Sequence, residues 1–508
     1  MNKEKMEKIY ETLEKSKALN DAITLFNWDL ETEAPVKAVE RISKSMGYLI
    51  GESYSVLVND EFKRLIYSID EENLERLERK IIREIKKETF EKLEKIPKEE
   101  YRKYSELKVI ATKKWEEAKR RNDFEVFKDS LSEIIEMNKK FIKYRGYDGH
   151  PYNTLLEDYE PEMTVSRLDE FFQDIAEKLS PFIKRIIEKG RDGRFVEVKR
   201  IFNEIKYDID KQKKLSEYIL NTMGFDFEKG LLKESEHPFT TDMGNKNVRI
   251  TTHYYENRVL SAIYSTIHEG GHALYEQNID DEVSETVLGT GTSMGIHESQ
   301  SRIYENMFGR SREFLGFLYP KLDEMFSLEE KGIGSEDLYR LSNEVEQSLI
   351  RIEADELTYP IHILIRYELE KEIFEDLDRH ENVDELAERW AEKYEKYLGV
   401  RPVLYSDGIL QDVHWSSGLF GYFPSYALGS AYAAQIYNAV DRKMNITEKM
   451  KKGDFHDINE ILREGIHKFG KTKTPSEIIA DFTGEEFRSH YYIDYLIEKF
   501  SKIYGIQN

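Results

Sequence analysis

Long stretches of the chain repeat apolar side chains at the spacing of an amphipathic helix. Near the N-terminus, one stripe is formed by Met6, Ile9, Tyr10, Leu13 and Leu19. Glycine and proline, at 28 and 11 of 508 residues, are too sparse to interrupt such stretches often. The pattern predicts a mainly α-helical protein.

Residues 70–120 predict a pair of long, charged helices with Pro97 at the turn between them. Glutamate and lysine recur there at i,i+4, which suits helices exposed to solvent. We expect the N-terminal helical region, residues 1–130, to serve as a lid, as an arm in a dimer, or simply as a solvated helix pair packed on the body.

Strand signals are few. The β-branched run at 247–252 follows a turn-like segment and predicts one strand of a small sheet. The chain has no internal repeat and no linker rich in proline, serine or glycine. We therefore expect an all-α fold with one small β-sheet, forming a single domain over residues 1–508.

Composition narrows the class of protein. Acidic residues outnumber basic ones by 99 to 76, a net charge of -23, which argues against a nucleic-acid partner. The chain has no cysteine, so any metal must be held by His, Asp or Glu. Neither a signal peptide nor a membrane span is visible, so we expect a cytoplasmic protein with no membrane contact. The abundance of lysine and glutamate is typical both of thermostable proteins and of charged helices in general.

The segment HEGGH at 268–272 carries the strongest chemical signal. On a helix, His268 and His272 project from one face and can share a single metal ion. Glu269 is placed to take a proton from a water molecule that such a metal activates. The two glycines each weaken a helix by about 1 kcal/mol relative to alanine, so another element is expected to approach closely at this turn.

A catalytic site of this kind takes a third protein ligand. The candidates downstream are Glu276, Asp280, Asp281, Glu282, Glu285, His297, Glu298 and Glu305. Glu276 is poorly placed on the same helix as the histidines, and the acidic run 280–285 is expected to be a solvated loop. Residues 293–308 predict a second helix. We choose Glu298 from it, and expect His297 to support a ligand or to be a core histidine.

Five motifs follow one another along the chain: HPF at 237–239, HEGGHALYEQ at 268–277, SMGIHESQSRIYEN at 293–306, IRxxAD at 350–355 and GxxQDxHW at 408–415. In these motifs and in their order, the sequence resembles the thermostable (Taq-type) family of HEXXH metallocarboxypeptidases. The segments at 268–277 and 293–306 resemble the two metal-binding motifs of that family. The resemblance covers essentially the whole chain. One departure is Asn247, which stands where the family's DxRxT motif has aspartate.

The resemblance implies a carboxypeptidase that removes residues from peptide C-termini with broad specificity. It also implies a helical fold with a deep active-site groove, similar to the neurolysin and angiotensin-converting-enzyme group. A homodimer and one divalent metal ion per subunit are implied as well. Imidazole and carboxylate accept zinc, cobalt and manganese alike, so the sequence does not choose among them.

A carboxypeptidase must recognise a free carboxylate, which arginine binds with two parallel hydrogen bonds. Arg351, in the IRxxAD match, is our first choice for this role and Arg249 our second. Either arginine could instead make a structural ion pair. Asp355, four residues after Arg351, is the expected partner in that case.

Other roles follow from the resemblance. His414 and Tyr422 are expected to stabilise the oxyanion of the reaction, with Tyr426 a further candidate that contacts substrate. His237 is expected to contact substrate or to cap the turn before a proline. The strand at 247–252 is expected to pair with the substrate backbone.

Two rival functions share the same metal motif. An endo-acting metallo-oligopeptidase would have an identical metal site but no arginine for a C-terminal carboxylate. A helical scaffold with a relict metal site would have no need of Glu269 as a base. The match at Arg351 favours the carboxypeptidase over the first rival, and Glu269 favours it over the second.

Overall fold

The computed structural model describes residues 2–506, and this part of the chain is mainly helical, as predicted. Its helices are α1 (Asn2–Thr32), α2 (Val39–Leu57), α3 (Asp60–Tyr67), α4 (Arg76–Ile85), α5 (Lys98–Arg121), α6 (Glu125–Arg145), α7 (Asn153–Leu156), α8 (Val165–Lys189), α9 (Gly193–Glu204), α10 (Ile209–Met223), α11 (Val259–Gln277), α12 (Asp281–Ser284), α13 (Met294–Arg302), α14 (Arg312–Phe326), α15 (Ser335–Ser342), α16 (Tyr359–Phe374), α17 (Val383–Leu398), α18 (Phe423–Asp441), α19 (Ile446–Met450), α20 (His456–Gly465), α21 (Pro475–Thr483) and α22 (His490–Tyr504). Short 3-10 or π-helical segments are Val36–Ala38, Glu71–Asn73, Lys86–Leu93, Ile303–Gly309, Glu329–Lys331, Arg351–Glu353 and His467–Thr472. None of the described helices is long and apolar enough to cross a bilayer.

The predicted N-terminal helices are confirmed. Met6, Ile9 and Leu13 of α1 are buried in a small apolar cluster with α3, α4 and residues 279–288. Tyr10, placed on the same stripe by the sequence, is instead 39% exposed. Pro97 caps the start of α5, where its fixed φ and missing N–H favour the beginning of a helix.

One three-stranded sheet is formed by β1 (Gly230–Glu234), β2 (Thr240–Asp242) and β3 (Val248–Thr252). The strand order is β1-β3-β2, with β1 parallel and β2 antiparallel to β3. The predicted strand therefore exists, but its expected pairing with substrate is wrong, because both of its edges are already occupied by its neighbours. The edge of β2 that faces away from β3 has no neighbouring strand among the described residues.

Two helices, α11 and α13, meet at the centre of the molecule because glycine lets their backbones touch. A Cβ atom on Gly271 of α11 would lie 2.6 Å from the carbonyl oxygen of Gln300 in α13. On the opposite side of α13, a Cβ on Gly429 of α18 would lie 2.5 Å from Cβ of Glu298. The close approach that the sequence predicted at the paired glycines is confirmed.

Replacing Gly271 with alanine is expected to destabilise the protein by about 1–3 kcal/mol, because the added methyl group meets backbone atoms that have nowhere to move. Gly51, inside α2, has open space within 4 Å of the position that a methyl group would take. Gly51→Ala is therefore the matched control and should stabilise the protein by up to about 1 kcal/mol. Chemical denaturation of both variants checks the pair, and equal stability of the Gly271 variant and the parent protein would contradict this packing.

Candidate active site

Helix α11 presents both motif histidines on one face. His268 and His272 are one turn apart, and their ring centroids are separated by 4.9 Å. Most of α11 is buried, since the sheet, α10 and α13 pack around it. The histidines are thus held on a largely buried helix.

Glu298 from α13 completes a group of three donors. Donor atoms of His268, His272 and Glu298 all lie within 4.8 Å of one another. Oε2 of Glu298 is 3.6 Å from Nε2 of His268 and 3.4 Å from Nε2 of His272. Two ligands of a tetrahedral cation at about 2 Å lie roughly 3.3 Å apart, so these three residues fit a divalent metal. The remaining position of such a tetrahedron is free for water or substrate.

Within the described residues, the other acidic candidates for the third ligand do not belong to this group of donors. Glu305 accepts a hydrogen bond of 2.9 Å from Nδ1 of His268, which leaves Nε2 of that ring free to bind a metal. Arg302 and Arg310 in turn hold the Glu305 carboxylate. The acidic run after α11 is not wholly a loop, because Asp281–Ser284 forms one helical turn.

His272 is oriented by a second histidine. Its Nδ1 lies 2.6 Å from Nδ1 of His297, and Nε2 of His297 lies 2.7 Å from Oε1 of Glu276. If Nε2 of His272 binds the metal, each ring donates its proton along this line toward the Glu276 carboxylate. His297 therefore orients a candidate metal ligand, and Glu276 in turn orients His297.

The surroundings of Glu298 and Glu269 shift the pKa values of these two carboxylates in opposite directions. Burial opposes the ionisation of Glu298, but Arg302 and His268 outweigh it and hold the pKa of Glu298 well below its usual range. Burial raises the pKa of Glu269, against the opposing pull of His268 and Thr240. Burial also lowers the pKa of His272 to about 3, which keeps this ring neutral. Glu298 is thus suited to binding a cation and Glu269 to accepting a proton.

Glu269 is oriented by Thr240 on strand β2. The Thr240 hydroxyl lies 2.6 Å from Oε2 of Glu269, which is only 7% exposed. Oε1 has no comparable contact within the described residues. Sequence reasoning missed Thr240, although it directly follows the HPF match in the chain.

Arg351 is nearly buried beside the aromatic side chains that were predicted to line the site. Its Nε donates to Oδ1 of Asp412 at 2.9 Å, and Nη1 lies 3.3 Å from the hydroxyl of Tyr359. Its guanidinium also stacks over the ring of Tyr426. The expected ion pair with Asp355 is wrong: the Arg351–Glu353 segment is a single 3-10 turn, so residues four apart do not share a helix face.

Tyr359 connects Arg351 to the donor group. Arg302 stacks over the Tyr359 ring at 4.5 Å, and its Nε donates to Oε1 of Glu298 at 2.7 Å. Asp355 has a different role from the one expected, since it accepts hydrogen bonds from the backbone and hydroxyl of Thr358. Arg351 therefore lies near the candidate metal ligands.

Arg249 is held on the middle strand of the sheet. Its Nε donates to Oδ1 of Asn247 at 3.0 Å, and its guanidinium lies 5.5 Å from the centre of the Trp28 ring. An amide therefore orients Arg249 where the family motif has an acid. His237 is exposed, and its carbonyl accepts a hydrogen bond from Ser235.

The predicted oxyanion donors cluster at the start of α18. Nε2 of His414 lies 3.2 Å from the hydroxyl of Tyr426, and the Tyr422 and Tyr426 rings are 5.2 Å apart. Burial lowers the pKa of His414 to about 3, so the ring is neutral. Its Nδ1 is buried with no hydrogen-bond partner among the described residues.

Comparison with known proteins identifies the family of this chain. Residues 8–500 match the family described as carboxypeptidase Taq (M32) metallopeptidase. Carboxypeptidase 1 of Bacillus subtilis is 42% identical over 97% of this chain and 98% of its own length. Thermostable carboxypeptidase 1 of Pyrococcus furiosus is 36% identical over 95% and 96%, respectively.

Solved structures give the same result. The M32 carboxypeptidase of Deinococcus radiodurans superimposes with a TM-score of 0.93 at 31% identity, covering 99% of this chain and 100% of that one. The all-α fold with one small sheet is thereby confirmed, and the endo-acting oligopeptidase and the scaffold are set aside. The chain belongs to the carboxypeptidase Taq (M32) family of metallopeptidases and is a metal-dependent carboxypeptidase.

Proposed function

We propose that this carboxypeptidase releases single residues from peptide C-termini with broad specificity, using a divalent metal held by His268, His272 and Glu298. The observation that carries the proposal is the convergence of these three donors beside Glu269. Zinc, cobalt or manganese would satisfy the donor set, and when bound would act as a Lewis acid toward water and the scissile carbonyl.

Glu269 is the proposed proton carrier. Its carboxylate takes one proton from the attacking water while the remaining hydroxyl forms a bond to the carbonyl carbon. The proton then passes to the amine nitrogen as the C–N bond breaks, which yields a shortened peptide and a free amino acid. Thr240 supports this role because it holds Oε2 and leaves Oε1 free for the transfer.

Arg351 is the proposed ligand of the substrate's terminal carboxylate. It lies close to the proposed metal ligands through Tyr359, and no hydrogen bond within the described residues is made by its Nη2. Arg249 remains the second choice. For the oxyanion we propose Tyr422 and His414, and for substrate contacts Tyr426 and His237.

Several wider expectations remain proposals. We propose a single domain over residues 1–508, a homodimer with peptides as its substrates, and a cytoplasmic location. Residues 1–130 are proposed as a lid or a dimer arm, which is supported by the apolar cluster that α1, α3 and α4 form with residues 279–288, apart from the main core. Thermostability is a further prediction, and a thermal denaturation curve tests it.

A time course on one N-blocked peptide tests the proposed reaction. The enzyme is reconstituted separately with zinc, cobalt and manganese, and the peptide is supplied with a free or an amidated C-terminus. Stepwise loss of single residues from the free peptide alone is expected, because the amide offers Arg351 no carboxylate. Internal cleavage of both peptides, or no cleavage with any metal, would contradict the proposal.

A further inference from the structure

Asp412 lies between two arginines. Its Oδ1 accepts from Nε of Arg351 at 2.9 Å, and its Oδ2 accepts from Nε of Arg366 at 2.7 Å. The side chains of Arg351 and Asp412 are each 8% exposed, and that of Arg366 is 0% exposed. These residues form a buried group of two positive charges and one negative charge, which we name the Arg-Asp-Arg triad.

The net charge that a substrate carboxylate approaches depends on the whole triad and not on Arg351 alone. An arginine paired only with an aspartate has no net charge, and in a poorly solvated site the aspartate repels an approaching carboxylate. With Arg366 on the other oxygen of Asp412, the triad carries a net charge of +1. A substrate carboxylate would bring the sum to zero.

The other polar groups that face the triad do not replace the positive charge of Arg366. The imidazole of His414 is neutral, because burial and Arg351 lower its pKa to about 3. Tyr359 and Tyr426, which contact Arg351, are also neutral. Arg302 is already committed to the carboxylate of Glu298, and Lys119, near Asp412, donates to the carbonyl of Gln411.

Arg366 belongs to helix α16, which holds its side chain in place. Tyr359, at the start of α16, contacts Arg351, and Arg366 lies seven residues further on the same face. The Arg366 guanidinium stacks over Trp390 at 4.5 Å and donates from Nη1 to the carbonyl of His362 at 2.7 Å. Helix α16 thus supplies both Tyr359, which contacts Arg351, and Arg366, which balances the charge of Asp412.

We propose that Arg366 is a positioning residue for recognition of the substrate's terminal carboxylate. It lets Asp412 orient Arg351 without cancelling the positive charge that the substrate needs. This inference rests on the proposed role of Arg351 and adds a residue that does not itself contact substrate.

The test uses a hydrolysis-resistant peptide whose last amide is replaced by CH2–NH, prepared with a C-terminal carboxylate and with a C-terminal carboxamide. Inhibition constants of both forms are measured on the metal-loaded enzyme, and their ratio is the readout. The parent enzyme should prefer the carboxylate by about tenfold to a hundredfold, the range for a hydrogen bond to a charged group. A merely structural role for Arg366 would weaken both forms equally and leave the ratio unchanged.

Four variants test whether the ratio of the two inhibition constants depends on the charge of the triad. Arg366→Met should reduce the preference to about threefold or less, since the triad loses its net charge. Arg366→Lys keeps the charge and should retain most of the preference. The double variant Arg366→Met/Asp412→Asn restores a net charge of +1 and should recover it. Arg389→Met, which removes a paired arginine of α17 outside the triad, is the matched control and should leave the ratio unchanged.

The outcomes separate this inference from the proposal on which it rests. If Arg351→Met leaves the ratio unchanged, the proposed role of Arg351 fails. If Arg351→Met abolishes the preference while Arg366→Met retains it, only the inference about Arg366 fails. Should Arg366→Met not fold, the double variant decides, because loss of the carboxylate preference there would overturn the charge argument.

Discussion

Replacing Glu269 with glutamine is expected to lower kcat by about 10²- to 10⁴-fold, the range for loss of a positioned general base. Glutamine keeps the shape of the side chain and an oxygen that can accept the hydrogen bond from Thr240. It cannot take a proton from water. Because Glu269 does not belong to the group of three donors, the variant should still bind its metal.

Metal content measured by elemental analysis, together with kcat, distinguishes the base from a ligand. Glu298→Ala is the matched control, because it removes a carboxylate of the donor group and should lose metal together with activity. Thermal denaturation of both variants shows whether either change has unfolded the protein. Loss of metal from the glutamine variant would make Glu269 a ligand and reassign the base.

Replacing Arg351 with methionine is expected to lower kcat/KM on a free-acid peptide by about tenfold to a hundredfold for each charged hydrogen bond lost. The loss should appear mainly in KM if the carboxylate is bound equally in the ground and transition states. The fold should survive the change because Asp412 keeps Arg366 as its partner.

Arg249→Met is the comparison for this prediction, since Arg249 was the second choice for the same role. Its stacking on Trp28 and its hydrogen bond to Asn247 predict a smaller effect. Steady-state kinetics on the same peptide measures both variants. A large loss in the Arg249 variant with little change in the Arg351 variant would exchange the two assignments.

The sequence by itself determined the class of fold and the motif of the candidate metal site. Sparse glycine and proline with repeated apolar spacing predicted the helices, because helix periodicity is a local property that a short segment records. His268, Glu269 and His272 belong to one helix, so their relative placement also follows from local geometry. The paired glycines correctly predicted a close neighbour at this turn, although not which element it would be.

The contacts around those residues were decided by the tertiary structure. Thr240 meets Glu269 across 29 positions in the chain, Arg351 meets Asp412 across 61, and Arg366 meets Asp412 across 46. No periodicity within a segment records such contacts. The sequence suggested Asp355 for Arg351 through helical spacing, and the structure replaced that helix with a single 3-10 turn.

The small sheet shows the same division. The β-branched run predicted strand β3. Its position in the middle of the sheet depends on β1 and β2, which pair with it on its two sides. Strand order and the partners of buried charges depend on how distant segments pack together. They are set by the packing of the whole chain, whereas helices and the spacing within a motif are set by neighbouring residues.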